Sequence, residues 1–347
     1  MKHANVAVIG YGTIGQRLAD AVARQHDMHL VGVADVALTL PVRALFERGM
    51  PYRFFLADPS RADSFRQAGI PVSGTLEDLL SQADVVLDAS PTGKGRFYRE
   101  LYARAGVKAV FQGAEEHEIA DMFFSPLVNF EQARHVRFLK MTSCYVTGIM
   151  RVLAVLDAAA GIEKAAITVI RRVADPGDYH RGLTNALQIS PAPCQMALDI
   201  HTLMPHVSAT GILVHAPITH SHVVTMVVSP RKSMTAEDAL DCLKGEPRIR
   251  IVSIEDGFLG NASLFKYARD LGNPRGDMHE IAIWKETVTV NGNDLMLALN
   301  IAQEGVVIPE NIDAVRALAG LQEHARDAMS STDLCLGIGA HLKIWNT

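Results

Sequence analysis

One stretch of this 347-residue chain carries a residue suited to covalent chemistry. Met141-Thr-Ser-Cys-Tyr-Val-Thr-Gly148 sets Cys144 just ahead of apolar residues at helical spacing, Ile149, Val152, Leu153 and Leu156. The spacing predicts a helix that begins at or just after the cysteine. A thiol there faces unpaired backbone N–H groups and the positive end of the helix dipole, which favour the nucleophilic thiolate. Far downstream, Thr219-His220-Ser221-His222 opens an alternating apolar run that reads as a strand, so its two imidazoles share a facing. One of them could take a proton from Cys144 and then from the hydroxyl formed when sulfur adds to a carbonyl. Arg171 and Arg172, followed by Ala174-Asp175-Pro176, end another strand, where a guanidinium could hold a phosphate or a cofactor group bidentately.

A lone cysteine is more often a buried packing residue, and the nucleotide motif that opens the chain is what shifts the reading. Asn5-Val-Ala-Val-Ile-Gly10 has the β-branched texture of a buried parallel strand and runs directly into Gly10-Tyr-Gly-Thr-Ile-Gly15. Ile14, Leu18 and Val22 then recur every four residues, so strand, glycine turn and helix follow in the order that dinucleotide binding needs. Gly10 permits the turn, Gly12 lets a pyrophosphate approach the backbone, and Gly15 lets helix and strand pack closely. The second strand, Met28–Ala34, ends at Asp35, twenty residues beyond Gly15, where a carboxylate would accept from the adenosine ribose of NAD and repel the extra phosphate of NADP. Asp84–Asp88 and Lys108–Gly113 read as further strands around a helical stretch near 96–105. Their carboxyl ends, Ala89–Gly95 and Gln112-Gly113, should open onto the cofactor crevice.

Composition bounds the rest. The length favours two domains, and 48% hydrophobic content fits a well-buried globular enzyme. A net charge of −5 leaves no electrostatic footprint for nucleic acid or an anionic membrane. Cys144, Cys194, Cys242 and Cys335 are widely spaced, which offers no zinc site and suits a reducing, cytoplasmic setting with no signal peptide and no membrane span. After the Cys144 helix, 165–172, 212–217, 221–229 and 286–291 read as strands, with helices near 235–243 and 263–271 between them. The fold class is thus an α/β Rossmann nucleotide-binding domain over 1–143 plus an α+β catalytic domain with a largely antiparallel sheet over 144–306. A C-terminal helical tail, 307–347, packs back on the first.

With these residues in view, the sequence resembles the type II, or archaeal-type, glyceraldehyde-3-phosphate dehydrogenases. The matching blocks include Gly10–Ala21, Phe111-Gln-Gly113, Ser143-Cys144 with Thr147-Gly148, Arg171–Pro176, Thr219–His222, Glu255-Asp-Gly257, Arg269–Gly272 and Ile308–Arg316. The resemblance implies that Cys144 is the nucleophile and His220 the base. It places Thr13, Ile14, Gly113, Arg172 and Gln303 around the cofactor, and Ser143, Tyr145, Thr147 and Arg171 around the substrate. It implies oxidation of a small aldehyde with NAD, release of the acyl group by inorganic phosphate or water, and a homotetramer. The departures bear on the substrate. Tyr145 stands where the family usually has Asn, and Cys194–Asp199 replaces its Ser-His-His-Gly-Pro-Asp segment. Ala302-Gln-Glu-Gly305 replaces its His-Gln-Glu-Ser, and Asp35 replaces a Lys suited to NADP. A different aldehyde on the same chemistry, or a catalytically silent NAD-binding relative, are the alternatives.

Overall fold

A strand buried on both faces has no reason to alternate, and the apolar, buried run Val6–Ile9 that ends Ala4–Ile9 (β1) sits in the interior of a parallel sheet. The computed structural model describes residues 2–112, 115–173, 186–192 and 194–339. The chain forms two compact units, one built on the residues up to Thr142 together with Ile308–Leu336, the other on Ser143–Val307.

In the first unit β1 leads through Thr13–Ala23 (α1) to Met28–Asp35 (β2), Leu40–Glu47 (α2), Phe54–Leu56 (β3), Ala62–Gln67 (α3) and Leu76–Leu80 (α4). Val85–Asp88 (β4), Gly95–Ala105 (α5), Lys108–Phe111 (β5), Met122–Phe124 (β6), Pro126–Ala133 (α6) and Phe138–Met141 (β7) complete it. The sheet order is β3-β2-β1-β4-β5-β7-β6, every pairing parallel. The order reverses between β1 and β4, and ligands of such sheets bind outside the carboxyl ends of the strands at that reversal. The glycine turn after β1 lies there.

The second unit starts with a 17-residue helix, Cys144–Ala160 (α7), and continues through Ile162–Arg172 (β8), Gln188–Ile189 (β9), Gln195–Leu203 (α8), Ser208–Ala216 (β10) and His222–Pro230 (β11). Ala236–Lys244 (α9), Ile249–Val252 (β12), Asn261–Asp270 (α10), Ile281–Trp284 (β13), Thr289–Asn291 (β14) and Asp294–Ile301 (β15) follow. The order is β12-β13-β15-β11-β8-β10-β9, with β14 on β15. β11 runs antiparallel to both β8 and β15, while β8 with β10 and β12 with β13 are parallel. The chain then returns to the first unit as Ile308–Ala319 (α11) and Ala325–Leu336 (α12). There the fully buried Arg316 bonds both carboxylate oxygens of Asp27, at 2.7 and 3.0 Å, and the Thr332 hydroxyl at 2.6 Å.

The strand expected at 286–291 is corrected. Lys285–Thr287 is a tight helical turn, and only Thr289–Asn291 is extended, all three residues exposed at the sheet edge. Gly292, at φ 62°, turns the chain so that Asn291 faces Asp294, and the long buried strand is β15. The Thr-Val-Thr-Val alternation marks the short arm of a hairpin whose other arm does the packing.

Two features fix α7 on its sheet. A Cβ on Gly148 would meet Ile301 Cδ1 at 2.6 Å and Ile281 Cγ2 at 3.0 Å, so only glycine allows the helix to lie this close to β15 and β13. One turn on, the buried Arg151 donates to the carbonyls of Arg248 at 3.1 Å, His279 at 2.6 Å and Val306 at 2.8 Å. Replacing Arg151 by Met removes its donors from the His279 and Val306 carbonyls, while that of Arg248 keeps the Ile281 N–H at 3.0 Å. The variant should lose about 3 kcal/mol or more of unfolding free energy in urea titrations.

Candidate active site

Cys144 is the first residue of α7, and Ser143, the residue that caps it, makes no side-chain bond to the first turn. The amide donors of that turn are therefore not taken up by a cap, and the Tyr145 N–H lies against the cysteine sulfur. His222, the first residue of β11, is fully buried and places Nε2 3.1 Å from Cys144 Sγ. The backbone N–H of Arg172, at the end of β8, donates to Nδ1 of the same ring at 3.0 Å. The Tyr145 ring meets the imidazole edge-on, 5.9 Å between centroids.

The Arg172 guanidinium braces the strand ends around this ring. Its Nη1 donates to the Thr219 carbonyl at 2.9 Å, its Nε to Gln303 Oε1 at 2.9 Å, and its Nη2 to Glu304 Oε1 at 2.6 Å. Arg172 and Gln303, both expected near the cofactor, are thus brought together and bonded to each other. Arg171 points to the other face of β8, where it neighbours His215 across the β10 pairing. Among the described residues its guanidinium has no hydrogen bond or ion pair, and its charge acts on Cys144, Tyr145, His215 and His222. His215 Nε2 lies 2.8 Å from the Ser190 hydroxyl.

His220 was expected to face the thiol, but the imidazole the structure brings to Cys144 is that of His222. Ser221 adopts φ 55°, a left-handed conformation that breaks the alternation of a strand, so the two imidazoles do not share a facing. His220 instead stacks on Phe265 of α10, 4.3 Å between ring centres and 11° from parallel, with its carbonyl held by the Asn261 side chain. Thr147 is buried, and its hydroxyl donates to the Ser143 carbonyl at 3.0 Å, which shapes the first turn of α7. Where the family's two histidines are replaced, Gln195 donates to Asp199 at 3.0 Å and Met196 is fully buried.

Burial pushes the Cys144 thiol up to about 11, outweighing Arg171 and the Tyr145 N–H, which favour the thiolate. Burial, then the charges of Arg171 and Arg172, pull His222 down to about 3. At neutral pH the pair is therefore a thiol beside a neutral imidazole. The thiolate-favouring field read from the helix terminus is present, but desolvation exceeds it.

In the first unit the nucleotide motif has the form the residues required. Gly10 takes φ 84°, and a Cβ there would lie 2.6 Å from the Ala89 carbonyl oxygen. A Cβ on Gly15 would overlap the Gly10 carbonyl. Gly12, the residue before α1, has nothing within 4 Å of where a Cβ would sit, and it offers no side-chain cap. That open approach beside the uncapped amides of Thr13 and Ile14 fits the pyrophosphate of a dinucleotide. Asp35, at the end of β2, accepts from the N–H groups of Tyr11 and Val36 at 2.8 and 2.7 Å, which fixes its carboxylate beside the glycine turn. Gly113, expected at the cofactor, and Ala174-Asp175-Pro176 lie outside the described residues.

Over 143–287 the sequence matches the family described as glyceraldehyde 3-phosphate dehydrogenase, C-terminal domain, and over 4–122 that described as dihydrodipicolinate reductase, N-terminus. It is 38% identical to the glyceraldehyde-3-phosphate dehydrogenase of Hyperthermus butylicus, covering 97% of this chain and 98% of that protein. To the protein of that name from Archaeoglobus fulgidus it is 37% identical, covering 98% and 99%. Among solved structures it is similar in fold to aspartate semialdehyde dehydrogenase II from Vibrio cholerae. The TM-score is 0.61 at 17% identity, over 97% of this chain and 99% of that one.

Two outcomes follow from this geometry. Gly12→Val introduces a side chain into open space at an ordinary φ of −86°, so it should leave the melting temperature unchanged while weakening NAD binding at least about tenfold by titration calorimetry. Unfolded His222 takes up a proton near 6.5, whereas in the folded chain it stays neutral until about 3. The unfolded state binds more protons between those values, so stability falls as pH drops through that window, by about 1.4 kcal/mol per unit from this one group. Denaturant titrations at pH 7, 6 and 5 should show a shallower loss in His222→Gln than in the wild type.

Proposed function

Because the chain belongs to the glyceraldehyde-3-phosphate dehydrogenase family, we propose that it oxidises glyceraldehyde 3-phosphate through a thioester on Cys144. The observation that carries this reading is the 3.1 Å contact between Cys144 Sγ and His222 Nε2 at the start of α7. Cys144 sulfur adds to the aldehyde carbon, and the carbonyl oxygen takes up the negative charge beside the first-turn N–H groups of α7. NAD(P), which the Gly10–Gly15 turn would hold, would supply the hydride acceptor for that carbon, so that the acyl group stays on Cys144 as a thioester. An oxygen of inorganic phosphate then attacks the acyl carbon and the Cys144 thiolate departs.

Arg171 supplies the anion contact. Its guanidinium, without an ion pair among the described residues and on the helix-covered face of β8, suits the phosphate of the aldehyde or the incoming phosphate. The reading prefers NAD to NADP, since the Asp35 carboxylate repels a phosphate on the adenosine ribose. All four cysteines are free thiols, in keeping with a reducing cytoplasm, and among the described residues no helix is long and apolar enough to cross a membrane. Ile212 and Met296, 54% and 48% exposed on the sheet of the second unit, mark the surface we assign to subunit contact in a homotetramer.

A second reading keeps the chemistry and changes the aldehyde. It is favoured by Gln195 and Met196, which stand in place of the family's histidine pair, Met196 buried and Gln195 turned to Asp199. NADH formation by the purified protein separates the two. On glyceraldehyde 3-phosphate, turnover should require phosphate, fall about 10⁴-fold or more in Cys144→Ala, and show a KM raised about tenfold or more in Arg171→Leu. Turnover on an unphosphorylated aldehyde alone would select the second reading.

A further inference from the structure

At the reversal between β1 and β4 lies a buried acid that the proposed function does not use. Asp88, the last residue of β4, is 3% exposed, and among the described residues no cation pairs with it. Burial pushes its carboxyl up, against the bonds from Ser90 and Tyr102 that favour the ionised form. An acid kept in such a place costs stability, so its value lies in what it holds.

It holds two groups. Oδ1 accepts from the backbone N–H of Ser90 at 2.9 Å, and Oδ2 accepts from the Tyr102 hydroxyl at 2.9 Å. Tyr102 is fully buried on α5, stacked on Tyr98 with 6.0 Å between ring centres and packed against Phe111 of β5 at the same separation. The hydroxyl is therefore anchored in the aromatic core of the first unit. On the other side, the Ala89–Ser90 peptide lies directly against the nucleotide turn. The place a Cβ would take on Gly10 is 2.6 Å from the Ala89 oxygen and 2.8 Å from the Ser90 nitrogen, and that on Gly15 is 3.6 Å from the Ala89 methyl. The Ala89 N–H also donates to the carbonyl of Ile9, the residue before Gly10, at 2.7 Å.

We propose that Asp88 is a positioning residue for the dinucleotide: through the Ser90 N–H it holds the Ala89–Ser90 peptide against the Gly10–Gly15 turn, so that the turn meets the pyrophosphate ready-formed. A turn whose backing peptide could rotate would have to be ordered each time NAD binds, and that ordering subtracts from affinity. The arrangement needs two hydrogen-bonding atoms at this place rather than a charge. Asn at position 88 would keep the Ser90 bond through its carbonyl and donate from its amide to the Tyr102 hydroxyl, which can accept. Leu matches the bulk and offers neither bond.

The test is titration calorimetry of NAD into the full-length protein with no aldehyde present, well below each variant's melting temperature. A residue that only supports the fold would leave the Kd unchanged there. Asp88→Leu should raise the Kd for NAD about tenfold or more. Tyr102→Phe, which removes one of the two bonds, should raise it about threefold, and Asp88→Asn should stay within about twofold of the wild type. In turnover the loss in Asp88→Leu should appear in the KM for NAD and leave the KM for the aldehyde unchanged. Wild-type affinity in a folded Asp88→Leu, or an Asp88→Asn as weak as Asp88→Leu, would overturn the proposal. Should Asp88→Leu fail to fold, wild-type affinity in Tyr102→Phe would overturn it instead. Failure to oxidise glyceraldehyde 3-phosphate would count against the proposed substrate and leave these titrations to decide the role of Asp88.

Discussion

The backbone N–H of Arg172 donates to Nδ1 of His222, and the thiol site is arranged around that single bond. It fixes the ring in place, and so fixes what the sulfur of Cys144 meets at 3.1 Å. The bond exists because β8 and β11 are antiparallel neighbours that pair up to Ile170 and Val223, so that the end of one strand lies beside the start of the other. Burial of the pair is the accompanying constraint. It removes the charge from both groups at neutral pH and makes every donor near the sulfur count for more than it would in water.

The helix that carries the thiol is held just as firmly. Gly148 lets α7 lie against Ile301 and Ile281, and the three carbonyl contacts of Arg151 tie its second turn to the loops around β12, β13 and β15. A nucleophile at the first turn of such a helix has little freedom to drift. The uncapped amides beside it are preorganised for an oxyanion and need no rearrangement when charge develops. In the first unit the same economy holds at α1, where glycines replace any side chain that would obstruct the approach to the helix terminus.

Much of this was legible in the sequence because the requirements are local. Gly10 and Gly15 announce their turn since no other residue fits the φ of one or the close approach of the other. Cys144 stood out because an apolar 3.6-residue period begins directly after it, and α7 begins there. The identity of the histidine was not legible. It turns on one left-handed φ at Ser221, a residue type that does not advertise that conformation, and without it the alternation rule gives both imidazoles the same facing. Glu304 and His215 were likewise missed, since their partners, Arg172 and Ser190, become neighbours only when the strands are assembled. The signal for the field at the sulfur was also incomplete, because a helix terminus can be read from periodicity whereas depth of burial cannot.

The central claim, that Cys144 carries the substrate as a thioester, is tested most directly by mass spectrometry of the protein quenched in acid after mixing with glyceraldehyde 3-phosphate and NAD in the absence of phosphate. The account predicts a 3-phosphoglyceroyl adduct confined to the peptide that contains Cys144, discharged when inorganic phosphate is added before the quench. NADH release with an unmodified Cys144 peptide, or an adduct on any other residue, would contradict it.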